Sequence, residues 1–268
     1  MMLRNVFLKT QRDYRRSIMW WALGLVVLNA FMVAFYPSIS EIEDFETIIE
    51  AYPEDLMALF GASNLADMTS PVGFLNIELF GFTVPALFAV FAIGLGSAAI
   101  AGEESRGTIE MLLSEPITRG RLILEKFAAM SVLIVALAFA LWASLVIGAA
   151  IMDMEISTLR LGEMSISTAL LGLIFGGVAF AVGAVTGRRG LSMGAAASVV
   201  VAGHVLNAFS LMSDIMEPAR WLSPFHYYNG NLPLYNGLDP VHVIVMVAVI
   251  AFLFAISYIG FQRRDIRL

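Results

Sequence analysis

Cysteine is absent from the 268 residues, so neither a disulfide framework nor a thiolate metal site is available, and no metal site is expected. Charge is scarce as well. Only 14% of residues are Asp, Glu, Lys or Arg, against about 25% in soluble domains. Lysine occurs only at Lys9 and Lys126, and neither follows a glycine. The chain therefore has no G-x-x-x-x-G-K-[ST] loop and does not bind ATP that way itself. No H-E-x-x-H run occurs either, and nothing in the pattern points to a nucleic-acid partner.

What the chain has in excess is apolar length. Hydrophobic residues make up 59% of it, with a mean hydropathy of +0.81. A helix crossing the hydrocarbon core needs about 20 such residues. Six segments qualify: 18–36, 79–101, 127–151, 168–186, 192–212 and 243–261. Backbone in lipid must satisfy its own hydrogen bonds, so these segments are expected to be helices. The fold class is an all-α membrane protein, a single transmembrane domain over 1–268 with six spans. Residues 1–17 are basic and read either as an amphipathic interfacial helix or as a basic tail that sets topology. The apolar run after them exceeds a signal-peptide core of roughly 7–15 residues and reads as a retained anchor.

The connections between spans divide sharply by charge. One set, 1–17, 102–126, 187–191 and 262–268, holds 14 of the 16 basic residues. The other set holds 15 of the 22 acidic ones. The positive-inside rule puts both termini and the 102–126 segment in the cytoplasm, with the chain in the plasma membrane. The acidic loop 37–78 then lies outside, either as a solvated loop or as short helices near 42–52 and 53–61 that cover an outer mouth. No Asp, Glu, Lys or Arg lies in the core of any span, so an ion-coupled carrier with a carboxylate relay is disfavoured.

Polar residues inside the spans are few. His204 and Asn207 lie three apart on one face of the fifth span, and Asn29 lies in the first. Each reads either as a contact on a substrate path or as an interhelical hydrogen bond. Small-residue stripes, Gly172/Gly176/Ala179/Gly183/Gly187 and Gly194/Ser198/Ala202, read as close-packing scaffold within or between subunits. The stretch 221–228, rich in aromatics, reads as a short interfacial or re-entrant segment.

The segment 102–126 stands out because a charged helix-former between two spans must project from the membrane. A helix is expected over 106–114, broken at Pro116. Thr118 is placed to cap a second helix that runs into the third span. Ile109, Leu112 and Leu113 form an apolar ridge edged by Glu103, Glu104, Arg106, Glu110, Arg119 and Arg121. Such a ridge suits a groove on a soluble partner. Its five carboxylates disfavour an anionic lipid surface. Arg106 could instead simply bridge to a nearby carboxylate.

This block resembles the signature of the ABC type-2 permease family, E-E-x-R-G-T-x-x-x-L-L-x-x-P-x-[ST]-R with a lysine seven residues on. The matching positions are Glu103, Glu104, Arg106, Gly107, Thr108, Leu112, Leu113, Pro116, Thr118, Arg119 and Lys126. Trp221–Phe225 and Arg263–Asp265 extend the likeness over most of the chain, while Glu115 departs from an often apolar position. The resemblance implies a transport subunit rather than an enzyme. It implies an exporter powered by a separate ATPase chain that carries ATP and magnesium and docks on the hairpin at these residues. It also implies a second permease copy or a paralogue beside it in the bilayer, and no cofactor on this chain. The substrate is not readable beyond a preference for hydrophobic or amphipathic molecules. A membrane protease using E-E-x-x-x-R fits poorly, since E-E-x-R here is two residues short. An ATP-independent carrier or channel, or a signalling or immunity subunit with the same hairpin, are the other readings.

Overall fold

The computed structural model describes residues 5–40, 69–109, 117–212 and 215–264. Six of its helices are long and apolar enough to cross a membrane, and no strand occurs among the described residues. They are α1 (Val6–Ser40), α2 (Pro71–Ser105), α3 (Arg119–Ile151), α4 (Thr158–Thr186), α5 (Arg189–Met212) and α7 (Pro240–Arg263), with a short α6 (Pro224–Asn229) before the last. Each long helix contains one of the six expected spans. The short helices expected within the loop 37–78 lie outside the described residues.

The helix starts follow local chemistry. Ser70, Thr118, Ser157, Ser223 and Asp239 each accept a backbone N–H in the first turn of α2, α3, α4, α6 and α7, which satisfies a donor that has no intrahelical partner. Pro71, Pro224 and Pro240 occupy the first helical position, where a missing N–H costs nothing. Pro85 is different, because it sits inside α2. The turns before it, Leu75–Thr83, widen to π geometry, which relieves the clash of the ring with the preceding carbonyls.

α4 is the hub and packs against α2, α3, α5 and α7. The spans of α2 and α4 are each 72% buried, against 17% for α1 and 11% for α7. The glycine stripe on α4 explains the contrast. A Cβ on Gly96 of α2 would strike the Gly176 carbonyl of α4, and Gly172 faces Phe88 and Ile134. Backbones this close gain dispersion contacts that lipid cannot supply. The stripe on α4 is thus internal scaffold. The stripe on α5 faces the other way: Gly194, Ser198 and Ala202 are exposed, and nothing lies within 4 Å of a Cβ on Gly194. Outward apolar residues such as Ile244, Phe252 and Ile259 make α7 a lipid-facing helix.

α1 runs unbroken through residue 18, at about 1.5 Å per residue. Among the described residues no break separates the N-terminal stretch from the first span; residues 1–4 lie outside them. The apolar face that the sequence offered to headgroups is taken up by protein. Val6 and Thr10 are buried, Gln11 donates to the Ala129 carbonyl at 2.9 Å, and Glu125 of α3 accepts the Val6 and Phe7 N–H groups at 2.7 and 3.2 Å. A carboxylate at the positive end of a helix is favourable.

Candidate functional site

The charged block gathers where α2 ends and α3 begins. Glu103 and Lys126 are both nearly buried, with side chains 10% and 5% exposed, and Lys126 Nζ donates to Glu103 Oε1 at 2.7 Å. The other carboxylate oxygen accepts from the Thr108 hydroxyl. The Thr108 N–H donates to the Glu103 carbonyl at 2.9 Å. Glu103 is thereby satisfied from two elements, which a carboxylate removed from water requires.

Glu104 points elsewhere, towards the far end of the chain. It pairs with Arg264, just beyond α7. Arg264 also donates to the Ala184 carbonyl near the end of α4 at 3.1 Å, and its own carbonyl accepts from Arg119 at 2.9 Å. Two adjacent glutamates thus tie the end of α2 to α3 on one side and to α4 and α7 on the other.

The sequence pattern expected a helix over 106–114. α2 continues to Ser105, Arg106 and Gly107 form the turn that ends it, and Ile109 is helical again, while 110–114 lie outside the described residues. Gly107 has φ +69 with nothing within 4 Å of a Cβ, and its N–H returns to the Glu104 carbonyl at 3.0 Å. Glycine is needed here for its backbone angle rather than for space. Arg106 is 56% exposed and stands 3.8 Å from Glu103, too long for a hydrogen bond. Ile109 is buried, Thr118 is exposed, and Leu112, Leu113 and Pro116 lie outside the described residues. The block therefore separates into an inward set, Glu103, Glu104, Thr108, Ile109 and Lys126, and an outward set in which Arg106, Gly107 and Thr118 are accessible.

The sequence model of the family described as ABC-2 family transporter protein matches residues 4–266, nearly the whole chain. The chain belongs to the ABC-2 transporter family. It is a membrane permease of an ABC transporter, a multi-pass protein of a family whose members work beside an ABC ATPase subunit. No curated protein matches it.

In this permease a cavity of about 410 Å³ opens beside the charged block, between α1, α2 and α3. Lys9, Asp13, Tyr14, Glu103, Arg106 and Lys126 line it. Reading the sequence alone missed three of the contacts that organise this end: the Glu103–Lys126 pair, the Glu104–Arg264 pair and the Glu125 cap on α1. The available signals were a lysine inside an otherwise apolar stretch and arginines at the chain end.

The three polar residues of the spans part company. Asn29 is fully buried and donates to Ser144 Oγ of α3 at 2.6 Å, an interhelical bond. His204 and Asn207 instead line a second cavity at the opposite end of the permease. One further pattern, Gly190-Leu191-Ser192-Met193-Gly194, matches G-x-S-x-G. Ser192 lies inside α5, fully buried, and donates to the Ala179 carbonyl. It stands on no strand-to-helix elbow and is no nucleophile.

Proposed function

We propose that this permease is the membrane half of an exporter, driven by a separate ATPase that docks on the segment between α2 and α3. The observation that carries this reading is the double tie at residues 103 and 104. Buried and half-buried ion pairs join the end of α2 to α3, α4 and α7. A push on the segment between Ser105 and Thr118 is then delivered to four helices at once instead of bending one. Arg106, Gly107 and Thr118 supply the accessible polar edge, and the apolar ridge of Leu112 and Leu113 supplies the part that enters the partner's cleft.

ATP and magnesium are bound by the ATPase, and this chain binds no cofactor. ATP-driven approach of two ATPase subunits moves two such turns together, and the helix bundles repack as rigid bodies between inward- and outward-facing arrangements. That geometry calls for a second permease, either an identical copy or a paralogue. The exposed Gly194/Ser198/Ala202 face of α5 is suited to close helix packing. The excess of basic residues beside the coupling segment supports a cytoplasmic position for that end and for both termini, in a protein of the plasma membrane. Apolar surroundings favour a hydrophobic or amphipathic cargo.

The test is to purify the tagged chain from its native membrane in mild detergent. A P-loop ATPase with vanadate-sensitive turnover in stoichiometric amount supports the reading. A stable chain that carries no ATPase, and transports without ATP, overturns it in favour of a secondary carrier.

A further inference from the structure

The charges around the cavity between α1, α2 and α3 are not equally committed. Glu103 is answered at both oxygens, by Lys126 Nζ at 2.7 Å and by the Thr108 hydroxyl. Glu104 and Glu125 are taken as well, by Arg264 and Arg121. The Arg106 guanidinium stands 3.8 Å from Glu103, beyond hydrogen-bond reach. It folds back along α2, with Nη2 3.9 Å from the point where a Cβ on Gly102 would stand. Arg106 is thus an exposed cation at the cavity rim with no carboxylate of its own among the described residues.

α1 supplies the facing wall. Lys9 and Asp13 are four residues apart on it, as are Thr10 and Tyr14, and all four line the cavity, as neighbours on one helix face do. Among the described residues no hydrogen bond engages the Lys9 ammonium or the Tyr14 hydroxyl, and neither is among the polar atoms closed off by burial. Both therefore reach open space. The charges of Arg106, Glu103, Asp13 and Arg189 of α5 all act on the Tyr14 hydroxyl, which sets the α1 wall and the end of α2 around one space. Away from this rim the walls are apolar. Leu95 on α2 is 11 residues before Arg106, about 16 Å along the helix, and Leu133 on α3 is seven residues past Lys126, about 10 Å. The small side chains of Ala98 and Ala99 leave the room beside them.

We propose that this cavity binds an anionic amphiphile, its acidic headgroup held by Lys9, Tyr14 and Arg106 and its apolar part lying against Leu95, Met130 and Leu133. The charge balance selects the headgroup. Lys126 offsets Glu103, and Lys9 offsets Asp13 one turn away, which leaves Arg106 uncompensated. An ammonium, a guanidinium and a phenol can all donate, and a phosphate or carboxylate accepts from each through charge-assisted bonds. A cation would meet Arg106 and Lys9. A nucleotide would bring several negative charges to a rim with little net positive charge, and would set its sugar against Leu95 and Leu133. The volume of about 410 Å³ lies within the ~300–1,000 Å³ of small-molecule sites, enough for a headgroup and part of a chain. A lipid of the surrounding bilayer and a soluble alkyl acid both carry this chemistry. Occupancy ties α1 to the turn at Arg106, and binding requires no ATPase.

The test titrates the purified full chain in mild detergent with phosphatidic acid, phosphatidylcholine, decyl phosphate or inorganic phosphate, and counts bound molecules by native mass spectrometry. The expected result is saturable binding of one phosphatidic acid or one decyl phosphate per chain, about tenfold or more tighter than phosphatidylcholine or inorganic phosphate. Phosphatidic acid acting alone identifies a bilayer lipid; decyl phosphate acting alone identifies a soluble amphiphile; both acting identify a site that reads the headgroup from either source. Arg106→Gln and Lys9→Gln should each weaken binding by about tenfold. Ala99→Phe keeps every charge but fills the apolar end, and should abolish it. Arg12→Gln removes an exposed charge of α1 that does not line the cavity, and should leave binding intact. Unchanged melting temperatures check that the variants are folded; if Ala99→Phe does not fold, the glutamine variants decide. The proposal is overturned by no saturable binding of either amphiphile, which leaves water as the occupant, or by phosphatidylcholine or inorganic phosphate binding as tightly. It is equally overturned by undiminished binding in folded Arg106→Gln and Lys9→Gln chains, or by an equal loss in Arg12→Gln, which would mark general attraction to a basic surface.

Discussion

Glu104 and Arg264 are 160 residues apart in sequence and form an ion pair at the foot of the bundle. The arginine also holds the Ala184 carbonyl, so the contact joins α2, α4 and the end of α7. If it transmits motion, Arg264→Ala and Glu104→Gln should each lower substrate-stimulated ATPase activity of the complex while leaving insertion intact. A double-mutant cycle on thermal stability should give a coupling of about 0.5–3 kcal/mol. Additive effects would show that the two side chains act separately.

The buried Glu103–Lys126 pair behaves differently under single and double substitution. Lys126→Met alone strands a buried carboxylate, and Glu103→Gln alone strands a buried ammonium. Each should cost about 3–5 kcal/mol. The combination should recover much of that loss, because two neutral groups of similar size remain. Unfolding midpoints of the three variants in one detergent check this.

Two glycines should fail for opposite reasons. Gly107 has open space but a positive φ, so Gly107→Ala should cost roughly 1 kcal/mol of backbone strain, and Gly107→Asn less. Gly96 has ordinary helical geometry but faces the Gly176 carbonyl. Gly96→Ala should therefore separate α2 from α4 and cost more, about 1–3 kcal/mol. Thermal melts of the three variants order them; equal losses would contradict this account of either position.

His226, on α6, predicts a pH effect. The His226 pKa lies near 4 in the folded chain, against 6.5 for an ordinary histidine. Between these values the unfolded chain takes up a proton that the folded chain refuses. His226 should therefore make stability fall as pH drops from about 6.5 towards 4 and leave it flat above 6.5. Melting temperatures across that range should show the slope, and His226→Asn should reduce it.

The six spans were legible because each is a long apolar run that no loop or soluble helix imitates, and the caps at Thr118 and elsewhere follow from one residue and its neighbours. Contacts between distant charges were not legible. Nothing in the periodicity around Glu125 says that it caps a helix beginning at Val6, and nothing near Glu104 names Arg264. The amphipathic pattern of 1–17 was real, but pattern alone does not distinguish a face turned to headgroups from one turned to α3. The turn at Gly107 illustrates the same limit. The segment has helix-forming composition, and a single left-handed glycine ends the helix where composition would continue it.

The absence of native cysteine makes the central claim directly measurable. Arg106→Cys places the chain's single thiol on the exposed edge of the coupling turn, and Ile151→Cys places one at the opposite end of α3, where Ile151 is exposed. Thiol cross-linking in native membranes should join the Arg106→Cys chain to an ATPase subunit, with a yield that changes on adding ATP, and should leave Ile151→Cys unlinked. Linkage to the ATPase from Ile151→Cys, or no ATPase adduct from an Arg106→Cys chain whose thiol is shown to be reactive, would contradict docking at the turn between α2 and α3.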